Sequence, residues 1–410
     1  MKLYIFDETT RAAAYGIGSY LCELIVALKG SKIHVCIVHL RSDQKDMEQS
    51  IDIDSVNHLY IPAYVVQNNS LTWNQQSELY YRNVVFLLQL HIVDREKMVF
   101  HLNYNQCGVL AEELKKVFDC TIITSVHFLN WCFLLSGNIS RFRKMLLSAE
   151  TGQEDELKTT VNRSYLMEKK YFDSVDHIIC LSKKTQIILQ NEYQIKPGKI
   201  NVIYNGLTDR ISIADKSSLR QKYRIPDIPV ILFVGRIDEI KGLKYALQAF
   251  KKVLLAYPNC HFIIAGSGSF DEFMKECEDI WMNITWTGLI DKDRVFDLYS
   301  IADFGVIPSF HEQCSYVAKE MMMHGVPVIG STTTGLEEMI IDGETGLHIP
   351  VIEYEEHVDI DTDFFAEKML YLLLNEEERI RMGVNARKRY EIQYSADIFS
   401  EKMINFYLSI

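Results

Sequence analysis

A chain of 410 residues is too long for one ordinary hydrophobic core, and 48% apolar residues with only 20 Gly and 8 Pro describe compact, ordered domains. The formal net charge of −12 excludes a general nucleic-acid binder, whose affinity rests on neutralising phosphates with Lys and Arg. Nine cysteines, an odd number with no C-x-x-C pair or Cys/His cluster, exclude a disulfide framework or structural zinc and suit a reducing compartment.

KLYIF and HVCIVHL are short β-rich runs, and between them Tyr20, Leu21, Leu24, Ile25 and Leu28 repeat at helical spacing. The longest apolar run, Val84 to Val93, is interrupted by Gln89 and is too short to span a bilayer, so a cytoplasmic protein is expected. The alternation continues with MVFHLN, a helix around Leu110 to Phe118, TIITSVHF, a polar helical stretch to Tyr171, HIICLS, a helix and INVIYNG. It lapses in the polar segment between Ile213 and Ile228, and VILFVGR then begins a second series. That series runs through a helix from Gly242 to Tyr257, HFIIAGSG, ITWTG, FGVIPS, a helix carrying Glu320, and PVIGS. EEERIRMGVNARKRY reads as a charged helix with a solvated side, and FSEKMINFYL as a helix with apolar faces. Strand and helix in alternation predict an α/β protein with parallel sheets covered by helices, in two tandem domains that leave a cleft; the boundary is placed just after Gly206.

Open sheets of this kind bind ligands beyond the carboxyl ends of their strands, so the loops there are the candidates. PSFHEQCSYVAKEMMMHG puts Glu312 in a loop after an apolar strand and Glu320 inside the next helix, which Gly325 closes. Free amides at that helix start suit an anion, and the two carboxylates suit several hydroxyls; together they fit a sugar diphosphate. FVGRIDEIKG places Arg236 and Lys241 after another strand, where a bidentate guanidinium and a point charge would clamp a pyrophosphate. Gly16 and Gly18 in YGIGSY would let backbone approach a ligand, although the run is not a dinucleotide fingerprint. His127 ends the strand of TSVHF, while GSGSF near Gly266 reads as a strand exit and Gly335 as a helix entry before Glu337 and Glu338.

These segments, in this order, resemble the retaining GT-B fold glycosyltransferases of family 4 over nearly the whole chain. The resemblance rests on GIGSY, SVHF, DSVDHIICLS, VIYNGLTD, FVGRIDEIKG, IIAGSGSFDEF, WTGLIDKDRVFDLYSIADFGVIPS and HEQCSYVAKEMMMHGVPVIGSTTTGLEEMIIDGETGLHI. It implies a GT-B arrangement of two Rossmann-like doubly wound domains facing a central cleft: residues 1–206 for the acceptor, residues 207–392 for a nucleotide-sugar donor, and a last helix, about 393–410, packed on the first. It also implies that Arg236 and Lys241 grip the donor diphosphate, Glu320 the ribose hydroxyls and Glu312 the transferred sugar. Backbone around Cys314, Ser315, Tyr316 and Val317 would hold the distal phosphate, Leu289 and Ile290 would line the base pocket, Gly16 and Gly18 would approach the diphosphate, and His127 would lie near the reacting centre. No cofactor or metal is implied; the donor would be UDP- or GDP-linked. Where many relatives have a Gly- or Pro-Phe-Gly turn after the first acid, this chain has Gln313, Cys314 and Ser315, which points to a different backbone at the sugar pocket.

The acceptor is left open among a glycan, a lipid-linked glycan, a peptide and a small molecule. Residues 138–160 offer Arg141, Phe142, Arg143 and Lys144 as a basic-apolar surface on the acceptor side that would permit peripheral membrane contact; a solvated helix is the plainer reading. A nucleotide-sugar 2-epimerase or a non-catalytic nucleotide-sugar-binding module could share the same fold and donor site.

Overall fold

The structure is a computed structural model of the chain that describes every residue except 9–15, 54–55, 64–70, 94–96, 106, 148–154 and 212–214, and the side chains of 73–74. Two compact units divide it: Met1–Asn130, Glu150–Gly206 and Ala396–Ile410 form the first, and Trp131–Ala149 with Leu207–Ser395 the second.

In the first unit eight strands are described: β1 (Lys2–Glu8), β2 (His34–Ser42), β3 (Glu48–Ile51), β4 (Asn57–Pro62), β5 (Met98–Leu102), β6 (Cys120–Val126), β7 (His177–Cys180) and β8 (Ile200–Val202). They lie in the order β3-β4-β2-β1-β5-β6-β7-β8. Every pairing is parallel except that of β3 with β4. Parallel sheets need a crossover helix on each face, so their strands are buried on both sides; all five residues of β5 are buried. The predicted stripe on helix Gly16–Leu28 turns Tyr20, Leu21, Leu24 and Leu28 into the core, with Ile25 half-buried. The apolar run from Val84 belongs mostly to helix Trp73–His91, where Val84, Val85 and Leu88 are buried and Phe86 and Leu90 exposed. Thr72 and Gln75 start that helix with a reciprocal capping box. No described helix is long and apolar enough to cross a membrane. Helix Ala396–Ser409 joins this unit: Phe399 presses on Gly206, where an added Cβ would lie 2.3 Å from the Phe399 Cβ, and Ser400 Oγ donates to the Ala27 carbonyl.

The second unit has a six-stranded sheet of β9 (Val230–Val234), β10 (His261–Ala265), β11 (Ile284–Gly288), β12 (Phe304–Ile307), β13 (Val328–Ser331) and β14 (Gly346–Ile349), and a ribbon of β15 (Val351–Glu353) and β16 (Val358–Ile360). The sheet runs β11-β10-β9-β12-β13-β14, all parallel. The chain therefore builds outward from β9 in one direction and from β12 in the other, and the loops leaving these two central neighbours diverge. A crevice at such a reversal is where open sheets bind ligands. The polar lapse before β9 holds helix Lys216–Tyr223, capped by Asp215, whose carboxylate accepts from the Ser218 amide.

Trp131–Ala149 falls in the second unit, not in residues 1–206 as expected. The reason is local. Gly137, at φ +75°, lies so near Phe310 that an added Cβ would sit 2.3 Å from its carbonyl oxygen. Asn138 Nδ2 donates to the Tyr354 and His357 carbonyls, and the Glu353 carboxylate accepts from the Ile139 and Ser140 amides at the start of helix Ile139–Leu147. Arg141 donates to the Glu356 carbonyl, Lys144 pairs with Glu355, and Phe142 is buried against Trp131. Arg141, Phe142 and Lys144 therefore do not form a free basic-apolar surface: Arg141 and Lys144 fasten this helix to the ribbon's turn, and Phe142 is buried. Part of the segment, residues 148–154, lies outside the described residues.

Candidate active site

Lys241 follows β9 and Glu312 follows β12, the two strands at the reversal. Their loops are stitched by backbone: the Phe310 amide donates to the Ile240 carbonyl, 2.8 Å. Gly242, at φ +65°, makes the approach possible, because a Cβ there would lie 2.1 Å from the Pro308 oxygen. The result is an ion pair, Lys241 Nζ to Glu312 Oε1 at 2.5 Å, to which Ser309 Oγ adds a hydrogen bond of 3.2 Å. Both side chains are largely buried, at 21% and 15% exposure. Arg236, nearer the end of β9, pairs instead with Asp238 at 2.9 Å, in a more exposed setting, and its Nε is buried without a partner. It bonds to neither glutamate among the described residues.

Glu320 sits inside helix Tyr316–Met323, as its place before Gly325 predicts, and is 6% exposed. Tyr299 donates to its Oε2 at 2.8 Å and Lys292 reaches Oε1 at 3.2 Å. Burial, with the carboxylate alongside, holds the Tyr299 hydroxyl far above its ordinary pKa, so it stays a donor. Ser315 caps the helix by accepting from the Ala318 amide; the preceding amides, of Tyr316 and Val317, lie in the first turn, where no intrahelical carbonyl reaches them. Cys314 is buried beneath them, Tyr316 and Val317 are half-buried, and Leu289 stands largely exposed beside half-buried Ile290 after Gly288.

A run of hydroxyls that sequence reasoning did not single out fixes the Glu312 loop. In STTTG, Ser331 donates to the Ser309 carbonyl, Thr333 to that of Phe310 at 2.6 Å, and Thr334 to that of Glu312 at 2.6 Å. The Gly335 amide bonds the same Glu312 carbonyl, also at 2.6 Å. A Cβ on Gly335 would lie 1.6 Å from the Gln313 oxygen, so Gly335 is there for close approach as well as helix entry. Thr334 also meets His311 Nδ1 at 3.2 Å, and burial pushes the His311 imidazole down to about 4, keeping it neutral beside Glu312. The signal available in the sequence was four consecutive small polar residues after an apolar strand, where loop carbonyls of a parallel sheet need donors.

In the first unit, Gly16 and Gly18 lie in the first turn of helix Gly16–Leu28, not in the turn before it. No described atom lies within 4 Å of a Cβ placed on Gly16. His127 follows β6, half-buried, with Nε2 at 3.1 Å from Asn103 Oδ1 and its ring 4.6 Å from Tyr20, edge to face. Desolvation pushes its pKa down to about 3. Among the described residues no group of three His, Cys, Asp or Glu could hold a metal ion.

Two family models match the chain on consecutive stretches, "Glycosyltransferase Family 4" on residues 14–209 and "Glycosyl transferases group 1" on residues 215–389. Among proteins of similar sequence are the alpha-D-kanosaminyltransferase of Streptomyces kanamyceticus, 24% identical over 57% of this chain and 60% of its own length, and the capsular polysaccharide biosynthesis glycosyltransferase CapM of Staphylococcus aureus, 28% identical over 59% and 64%. The chain thus spans less than two thirds of the length of either relative. Sucrose-phosphate synthase from Thermosynechococcus elongatus shares the fold over 100% of this chain and 98% of its own, with a TM-score of 0.78 at 21% identity. HepE of Anabaena, solved in complex with UDP and glucose, does so over 100% of both chains with a TM-score of 0.73 at 15% identity. With one glycosyltransferase family model on each side of residue 210, together spanning nearly the whole chain, and a fold shared over its full length with these solved structures, the chain belongs to the GT-B glycosyltransferases.

Proposed function

We propose that this protein is a retaining glycosyltransferase that moves a sugar from a nucleoside diphosphate to an acceptor hydroxyl, using no metal. The observation that carries this reading is the Lys241–Glu312 pair at the strand reversal of the second unit. A donor diphosphate exchanges partners with it: the phosphate takes the ammonium, and the freed carboxylate turns to hydroxyls of the transferred sugar. Arg236 leaves Asp238 for phosphate at little cost, since a half-exposed ion pair contributes about 0–1 kcal/mol. The Tyr316 and Val317 amides, with Cys314 and Ser315 shaping the turn below them, take the distal phosphate, Glu320 the ribose hydroxyls, and Leu289 and Ile290 the base. Gly16 and Gly18, without side chains, are further candidates for backbone approach to the diphosphate.

In the transfer step the bond from the anomeric carbon to the phosphate oxygen breaks, the bond to the acceptor oxygen forms on the same face, and the acceptor proton passes to the departing phosphate. Arg236, Lys241 and helix amides stabilise the charge that grows on that oxygen. His127 orients the hydroxyls and shields them from water. Structures sharing this fold were solved with UDP and UDP-glucose, which supports a UDP-linked donor ahead of a GDP-linked one. The acceptor is a hydroxyl of a glycan, lipid-linked glycan, peptide or small molecule.

Incubation with UDP-glucose or GDP-mannose without acceptor tests the reading. Slow release of the nucleotide with the sugar hydrolysed supports a transferase; an epimerised nucleotide sugar overturns it in favour of a 2-epimerase.

A further inference from the structure

Asn103 stands just beyond the end of β5, the strand beside β1 where the order of the first sheet reverses, and is 1% exposed. Its Nδ2 lies 3.1 Å from the Phe6 carbonyl oxygen. A peptide carbonyl only accepts, so the amide nitrogen must face Phe6 and the amide oxygen must face the other way. That oxygen lies 3.1 Å from His127 Nε2. An amide oxygen also only accepts, which requires the hydrogen to be on Nε2. We infer that Asn103 is a positioning residue that holds His127 in the Nε2–H tautomer, leaving Nδ1 with its lone pair as a hydrogen-bond acceptor. No described group bonds to Nδ1.

The ring is kept from turning over by its surroundings. A flip would bring the ring carbon Cε1 to the Asn103 oxygen and lose the hydrogen bond, and Tyr20 packs edge-on against the ring at 4.6 Å. Tyr20 is itself held: its hydroxyl meets Ser125 Oγ at 3.1 Å, Ser125 meets His101 Nε2 at 2.8 Å, and His101 Nδ1 meets the Tyr407 hydroxyl at 2.5 Å. Burial keeps both His101 and His127 neutral, with pKa values near 3. His127 is therefore built to receive a hydrogen bond through Nδ1 and not to give up a proton. That its partner is a sugar hydroxyl rests on the transferase reading; the tautomer does not.

The test uses the full-length protein labelled with ¹⁵N in its histidine rings, with His127 assigned by the signals lost in His127→Gln. The expected long-range ¹H–¹⁵N pattern is that of a single Nε2–H tautomer, unchanged between about pH 8 and pH 5. In Asn103→Leu the pattern shifts toward a mixture of tautomers, and kcat for UDP release from UDP-glucose falls about tenfold with KM within about twofold. A wild-type ring protonated on Nδ1, or an Asn103→Leu ring with the wild-type pattern, overturns the inference. Should Asn103→Leu fail to fold, Asn103→Ala is read in the same way, and the wild-type pattern decides the tautomer by itself. An intact Nε2–H pattern in a protein that never releases UDP supports the positioning and counts against the transferase reading alone.

Discussion

Lys241 and Glu312, 71 positions apart, neutralise each other at 2.5 Å, and the proposed function has a diphosphate split this pair. On the proposed reading, Lys241→Ala removes the cation that stabilises the leaving group. The expected loss is about 2–4 kcal/mol of transition-state stabilisation, roughly 30- to 1000-fold in kcat/KM, with a small change in melting temperature; steady-state UDP release beside a thermal scan measures both. Away from the site, Glu168 is a buried carboxylate that accepts from the Asn105 side chain, the Asn130 amide and the Tyr193 hydroxyl, and desolvation raises its pKa to about 7. A folded pKa raised above 4.5 means that stability present at low pH is lost as pH rises through about 7, on the order of 3 kcal/mol. In Glu168→Gln the amide oxygen keeps the two N–H donors and its nitrogen donates to the Tyr193 oxygen. The variant is thus expected to gain melting temperature over wild type progressively from pH 5 to pH 8; a constant difference across that range would contradict the buried-carboxylate account. Strand-exit position and residue type made Arg236, Lys241, Glu312 and Glu320 legible as candidates. Their pairings were not, because spacing places a residue on a loop without saying which acid meets which base.

Among the elements, the hydroxyl clamp of Ser331, Thr333 and Thr334 on the Glu312 loop does what a longer helix or an extra strand does elsewhere: it satisfies loop carbonyls and fixes their direction. Thr333→Val with Thr334→Val keeps shape and removes two donors, each worth about 1 kcal/mol. The expected outcome is a loss of about tenfold in kcat/KM for the nucleotide sugar, larger than the loss of Lys241-independent properties such as helix content by circular dichroism. Gly335→Ala is more severe, since its Cβ would lie 1.6 Å from the Gln313 oxygen; turnover is expected to vanish even where the protein still melts cooperatively. The central strands and most helices were readable from apolar runs and 3.6-residue stripes. The edge strand β3, whose four residues are all exposed, was not, because a strand without a buried face carries no alternation; the ribbon of β15 and β16 was missed because three residues a strand are too short a run to show one, although Val358 and Ile360 are buried. Helix Lys216–Tyr223 was hidden in a polar lapse because it buries only Leu219.

At the scale of the whole molecule, two doubly wound sheets of the GT-B glycosyltransferases put their reversals at β1/β5 and at β9/β12; Arg236, Lys241 and Glu312 leave the strands that form the second, while Leu289 and Ile290 follow the edge strand β11. The alternation of strand and helix carried that organisation in plain view, except for Trp131–Ala149, which leaves the first unit's stretch of sequence to pack on the second unit's ribbon. With a net charge of −12, the proposed affinity for a diphosphate rests on local groups, Arg236, Lys241 and helix amides, against the protein's overall field. Calorimetric titration of UDP and GDP into the chelator-treated protein, wild type and Lys241→Ala, tests that claim most directly. The account predicts that wild type binds one nucleoside diphosphate without added metal and that Lys241→Ala binds it at least tenfold more weakly, about 1.4 kcal/mol. Equal binding by the two proteins, or binding only when a divalent cation is restored, would contradict it.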